Sequence, residues 1–283
     1  MRPVPPRAVA SLPIAMFDSG VGGLTVLHEC LVSLPHEDFV YLGDTARFPY
    51  GNREALELRE FALELAELLL EAEGAKLLVV ACNSATAAAM PGLRDALRGK
   101  VPVVTVVEPE SRLAARWTSN GRVGLLATPA TVDSGAYERA LKREAPDAQL
   151  HAVACPELAP MIQAGEEVDQ RTVDTIEAYC EPLRRARVDT VILGCTHYPL
   201  VRPILQRALG RGVTIVSSGQ AIADAVYTEL ASRGIENDPK RRGRYSFLAT
   251  GDPDAFRAVG TRFLQMPLGD VRQVRVKEAR EAA

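Results

Sequence analysis

Short runs of β-branched and aliphatic residues alternate with stretches of helical periodicity, and this alternation limits the fold more than any other feature. Ile14–Phe17, Phe39–Leu42, the start of Leu77–Thr86 and Val101–Val107 read as buried strands. Between them, Leu24–Leu34, Glu54–Glu73 and Ala85–Leu97 read as helices. In Glu54–Glu73, Leu58, Phe61, Leu65, Leu68 and Leu69 fall on one face. The pattern then restarts. Arg122–Ala127 is a strand, followed by a helix to about Arg143, a strand at Gln149–Ala154 and a mostly helical Glu166–Arg187. A strand in Thr190–Pro199, a helix near Val201–Ala208 and a strand at Val213–Val216 follow. The tail adds helices at Gln220–Arg233 and Asp254–Val259 and strands at Tyr245–Ala249 and Val271–Val276.

Such a β-α-β-α order implies mostly parallel sheets. The fold class is therefore α/β, with two similar βα domains and the active site in the cleft between them. We expect a disordered extension over 1–12, a first domain over 13–107 plus 217–283, and a second over 108–216. The hinge is expected near Val107–Glu110.

Two of the strands carry a special ending. Leu77–Thr86 (LLVVACNSAT) and Thr190–Pro199 (TVILGCTHYP) each run from aliphatic residues into a small residue, a cysteine and small polar residues. Cys82 and Cys195 thus sit just past strand carboxyl ends, where open α/β sheets hold their ligands. Two thiols on opposite walls of a cleft can invert a stereocentre without a cofactor. One, as thiolate, takes a proton from carbon; the other, as thiol, delivers a proton to the opposite face. A free thiol has a pKa of about 8.5, so half-ionisation near neutrality needs about 2 kcal/mol of stabilisation. Helix N-termini after each strand and an imidazolium at His197 are the expected sources. Beside Cys82, Asp18 or Asp44 can relay the proton. Ser19, Asn83, Ser84 and Thr196 suit an acidic substrate's carboxylates, Asp18 its amino group, and Tyr50 and Gly51 a covering loop.

Other classes fit less well. Net charge is −3, which argues mildly against a nucleic-acid-binding surface. No apolar run approaches the roughly 20 residues of a membrane span, and the Pro-rich start lacks a signal-peptide core, which points to the cytoplasm. Five cysteines without a CxxC pair argue against a zinc site or a disulfide framework. The glycine-rich Asp18–Gly23 turn is an anion-cradle pattern but not a dinucleotide fingerprint. A pyridoxal-phosphate racemase needs a Schiff-base lysine, and Lys76, Lys100, Lys142, Lys240 and Lys277 lie outside the site loops. Cys30, Cys155 and Cys180 read as packing residues, and His28, His36 and His151 as structural ones.

Several motifs point to a family. Phe17–Leu24 (FDSGVGGL), Gly43-Asp44-Thr45, Pro49-Tyr50-Gly51, Ala81–Ala85 (ACNSA) and Gly194–Leu200 (GCTHYPL) closely resemble those of glutamate racemases, in the aspartate/glutamate racemase superfamily. The resemblance runs from about Ile14 to Gly251. It implies cofactor-independent interconversion of L- and D-glutamate, with D-glutamate supplied to peptidoglycan, and often a homodimer. No nucleic-acid or membrane partner is implied. Cys82 and Cys195 then become the proton donors and acceptors, with Asp18, Asp44 and His197 supporting. Asp18, Ser19, Tyr50, Gly51, Asn83, Ser84, Thr196 and His197 become substrate contacts. One departure stands out. Relatives often carry a glutamate where Gln163 aligns, so either Glu157 or Glu166 substitutes, or His197 is tuned differently.

Overall fold

A computed structural model describes residues 9–90, 92–165 and 169–276. The first half runs β1 (Ile14–Asp18), α1 (Leu24–Ser33), β2 (Phe39–Gly43), α2 (Ala55–Ala72), β3 (Leu77–Val80), α3 (Asn83–Ala89), α4 (Gly92–Ala96), β4 (Val103–Thr105) and α5 (Val107–Trp117). There follow β5 (Arg122–Ala127), α6 (Pro129–Asp133), α7 (Ala136–Glu144), β6 (Gln149–Ala154), α8 (Leu158–Ala164), α9 (Gln170–Arg185), β7 (Thr190–Gly194), a 3₁₀ turn at Tyr198–Val201, α10 (Arg202–Leu209) and β8 (Thr214–Val216). The chain closes with α11 (Ser218–Arg233), β9 (Tyr245–Ala249), α12 (Pro253–Leu264) and β10 (Val271–Gln273).

The strands form two sheets, ordered β10-β9-β2-β1-β3-β4 and β6-β5-β7-β8. Every pairing among them is parallel. The order β2-β1-β3-β4 repeats as β6-β5-β7-β8, so β3 and β7, the two cysteine strands, hold equivalent positions. In each sheet the strand order reverses at the opening strand, β1 or β5. Such a switch point leaves a crevice at the strands' carboxyl ends. Alternation along β1 builds the core on both sheet faces: Ile14 and Met16 enter one apolar cluster, Ala15 and Phe17 the other.

Some expected elements differ. Val107–Glu110 forms the first turn of α5, which packs against α7 and α11. The helix expected over Ala85–Leu97 is two helices, because Pro91 follows Met90 and Met90 is extended (ψ 135°). Gly135, at φ 63°, separates α6 from α7. Pro182 lies inside α9 without ending it. Of the expected extension, residues 1–8 lie outside the described residues. Leu12 N–H reaches Val9 O at 3.0 Å, and Lys76 Nζ donates to Ala10 O at 2.8 Å.

Candidate active site

A small cleft opens where the carboxyl ends of the two sheets face each other. Cys82 and Cys195 both line it, only 4% and 7% exposed. Ser19, Tyr50, Gly51, Asn83, Ser84, Thr196 and His197 line it too. The cleft walls meet through specific contacts. Ser84 Oγ lies 2.9 Å from Thr128 Oγ1, and Ala130 N–H donates to Gly51 O at 2.9 Å. The β1–α1 turn reaches across as well. Thr25 Oγ1 donates to Thr196 O at 3.0 Å and Thr196 Oγ1 to Asp18 Oδ1 at 3.4 Å. This approach requires glycine at 22, where a Cβ would lie 2.3 Å from Thr196 Oγ1 and 2.5 Å from His197 Nδ1.

The two thiols are held differently. Cys82 caps α3, its Sγ accepting Ala85 N–H at 3.4 Å. Burial nevertheless pushes this thiol up to about 12, with the charge of Asp18 adding to it and hydrogen bonds from Ala85 and Ser19 opposing. Cys195 lacks the expected helix N-terminus: the 3₁₀ turn intervenes and α10 begins only at Arg202. Burial lifts Cys195 well above the ordinary thiol value. A hydrogen bond from the His197 backbone opposes this, and the charges of Cys82 and Asp18 reinforce it. Each thiolate therefore disfavours the other, as two groups facing across one cleft must.

The imidazolium expected at His197 is corrected by the structure. The ring is buried, tilted against Phe48 (centroids 5.5 Å) and edge-on to Phe263 (5.1 Å). Burial, with the charge of Arg262 behind it, pulls its pKa down to about 3. Gln163 Oε1 sits 2.9 Å from Nε2. An amide oxygen only accepts, so the ring proton is on Nε2 and Nδ1 turns its lone pair to Cys195 Sγ, 3.9 Å away. Glu157 is exposed at the start of α8 and makes no contact with the ring; Glu166 lies outside the described residues.

Neither Asp18 nor Asp44 is among the residues lining the cleft. Asp18 is wholly buried behind Ser19, accepts Gly20 N–H at 3.1 Å and is raised to about 6 by burial. Asp44 is consumed by its neighbours. Its Oδ2 accepts from Arg47 Nε at 2.7 Å and from the Tyr50 hydroxyl, and its Oδ1 from Thr250 Oγ1 at 2.7 Å. It fixes Tyr50. Lys76 is likewise remote from the cleft, with Nζ 2.5 Å from Glu37 Oε2. The sequence reading missed Phe48, Thr128, Pro156, Ala159 and Pro160 among the lining residues, and Glu110 and Tyr137 behind Asn83. Thr128 carried a signal: it follows β5 as Cys82 and Cys195 nearly follow β3 and β7.

Two parallel-sheet halves closing on a pair of buried thiols define a class, the amino-acid racemases that work without a cofactor. The chain belongs to the Asp/Glu/hydantoin racemase family, whose model matches residues 27–226. Within it, the similarity is to glutamate racemases. A glutamate racemase of Beutenbergia cavernae is 45% identical over 273 residues, covering 93% of each chain. The solved structure of a glutamate racemase isoform from Bacillus anthracis superposes with a TM-score of 0.87 at 36% identity, covering 94% of this chain and 97% of the other. The Francisella tularensis glutamate racemase, solved in complex with D-glutamate, gives 0.86 at 29% identity, covering 94% and 98%.

Proposed function

We infer that this protein interconverts L- and D-glutamate without a cofactor, with Cys82 and Cys195 as its two acid–base groups. The D-glutamate serves bacterial peptidoglycan. One observation carries the reading: two buried thiols, each just past the carboxyl end of an equivalent strand, line the same cleft. Racemisation needs a base on one face of Cα and an acid on the other. Taking L-glutamate first, the Cys195 thiolate removes the α-proton and the Cys82 thiol protonates the opposite face. Cys195 is left as thiol and Cys82 as thiolate, ready for the D-enantiomer.

Each thiolate has to be generated inside a buried site. Neutral His197, with Nδ1 facing Cys195 Sγ, accepts that thiol's proton; the imidazolium–thiolate pair offsets a burial cost that neither ion tolerates alone. For Cys82 the partner is Asp18, whose charge the thiol already feels. Ala85 N–H and Ser19 then stabilise the thiolate. Ser19, Tyr50, Gly51, Asn83, Ser84, Thr196 and His197 bind the substrate through hydroxyl, amide and backbone groups. Asp44 acts at one remove by fixing Tyr50. The reaction belongs in a reducing compartment, the cytoplasm, where thiols persist unpaired, and we read the assembly as a homodimer, as the family resemblance implies.

Purified protein with reductant and no added cofactor should invert L-glutamate and, in D₂O, place deuterium at Cα. Cys82→Ser and Cys195→Ser should each lower racemisation by about 10³-fold, since a hydroxyl is a far weaker acid and its loss removes one proton-transfer group. Failure of inversion and exchange together would sink the reading. Faster turnover of aspartate than glutamate would move the assignment within the family.

A further inference from the structure

Behind the Cys82 wall, polar side chains from four elements meet out of solvent. They are Asn83 on α3, Glu110 on α5, Tyr137 on α7 and Ser218 on α11, all buried. Glu110 is wholly buried, and its hydrogen-bond partners are all uncharged. Its Oε1 accepts from Ser218 Oγ at 2.6 Å. Its Oε2 accepts from Asn83 Nδ2 at 3.2 Å and from the Tyr137 hydroxyl. Asn83 Nδ2 also donates to Tyr137 Oη at 2.7 Å.

Counting donors leaves one atom over. The Asn83 amide has two hydrogens, and both are spent on Glu110 and Tyr137. Its Oδ1 remains buried without a partner, which is costly unless something donates to it. Asn83 lines the cleft beside Cys82. At neutral pH a glutamate molecule carries hydrogen-bond donors only on its α-ammonium, because both carboxylates purely accept. An Asn83 amide turned the other way would present NH₂ and favour a carboxylate instead.

We propose that Glu110 is a positioning residue: with Tyr137 and Ser218 it fixes the Asn83 amide so that Oδ1 receives the substrate's α-ammonium. The proposal rests on the racemase reading above and adds the group that decides which end of the amino acid docks at this wall. Glu110 suits the task in its ionised form, which accepts at both oxygens and offers no hydrogen of its own; burial raises its pKa to about 8, and the hydrogen bonds from Ser218, Tyr137 and Asn83 oppose that rise. Three donors reach it from three different helices, so the amide's orientation is tied to the packing of α5, α7 and α11 around it. Uncharged glutamine at this position would keep the shape but offer one acceptor oxygen where two are used. Its NH₂ would then compete with a donor, and Asn83 would be free to turn.

The test is steady-state kinetics on the full-length enzyme in both directions, at a pH above the raised Glu110 value, with melting temperatures for each variant. Glu110→Gln should raise KM for L- and D-glutamate together by about tenfold and leave kcat within about threefold, the signature of lost uniform binding. Tyr137→Phe should act in the same direction, and carries the test if Glu110→Gln does not fold. In an Asn83→Ala background either change should have no further effect on KM, since a residue that acts through Asn83 cannot act once that amide is gone. A KM effect that persists in full without Asn83, a loss confined to kcat, or a lowered melting temperature with KM unchanged would each overturn the proposal. A wild-type protein inactive on glutamate would overturn the functional reading itself; an active one with unaffected variants would overturn this proposal alone.

Discussion

Gln163 supplies no charge to hold an imidazolium at His197, so burial and Arg262 set the ring's resting state and through it how Cys195 is activated. A carboxylate at that position would stabilise an imidazolium; the amide accepts the Nε2 proton but supplies no charge. With burial added, the ring stays neutral down to about pH 3. The linkage has a definite sign. The folded-state value lies below that of an unfolded histidine, so the unfolded chain binds the extra proton first. Stability from this group is present above the unfolded value and is lost as pH falls towards 3. In the wild type, the His197 ring carbons should therefore show no NMR titration between about pH 5 and 8, the range in which an ordinary histidine titrates. Gln163→Glu should bring a titration into that window and add a matching ionisation to the rate profile. A wild-type ring titrating near the ordinary value would refute this account of Cys195.

At the scale of elements, the site depends on the β1–α1 turn lying flush against the end of β7. Gly22→Ala would put a methyl 2.3 Å from Thr196 Oγ1, so the turn or the Cys195 wall must shift. Misplacing reacting groups by about 1 Å costs about 10²-fold in rate. We expect a fall of that order in kcat/KM, whereas Gly92→Ala, with nothing within 4 Å of its Cβ, should leave kinetics unchanged. Equal kinetics for the two variants would show that the close approach has no catalytic role. The elements themselves were legible because most strands, the edge strands β6 and β10 apart, are apolar enough to be buried on both faces, and because the helices have one-sided stripes. What escaped was local chemistry whose cause lies elsewhere in the chain. Asp44 reads as a site acid by its place after β2, but Arg47, Tyr50 and Thr250 consume it, and Thr250 is far away in sequence. His197 reads as an imidazolium beside a cysteine, yet its charge is set by Phe48, Phe263 and Arg262 from other segments. Glu110 lies in a segment expected to be a hinge, and only the meeting of four helices makes it a buried carboxylate.

For the whole molecule, the distribution of buried acids sets the pH at which the fold gives way. All five cysteines are free and buried. Burial raises every one of them: Cys82, Cys155 and Cys180 to about 12, Cys30 further, and Cys195 well above the ordinary thiol value. Tyr41, Tyr50, Tyr137 and Tyr198 are shifted upward for the same reason. An unfolded chain releases these protons at the ordinary thiol and phenol values, about 8.5 and 10. The folded chain keeps them. Between those values and the raised ones the native state binds more protons, so stability is intact below the unfolded thiol value and falls as pH rises through the window. Each retained proton contributes a slope of about 1.4 kcal/mol per pH unit, and several thiols act in parallel. The melting temperature should therefore be steady near neutrality and drop steeply above about pH 9, the range where unfolded thiols ionise. Cys30→Ala tests the cause apart from the active site, because Cys30 is wholly buried on α1 and lies outside the cleft. It should cost stability at pH 7 through lost packing yet show a shallower alkaline decline, so that the two melting curves converge as pH rises. Parallel curves would mean that thiol ionisation does not drive the alkaline transition, and the explanation would pass to the four buried tyrosines.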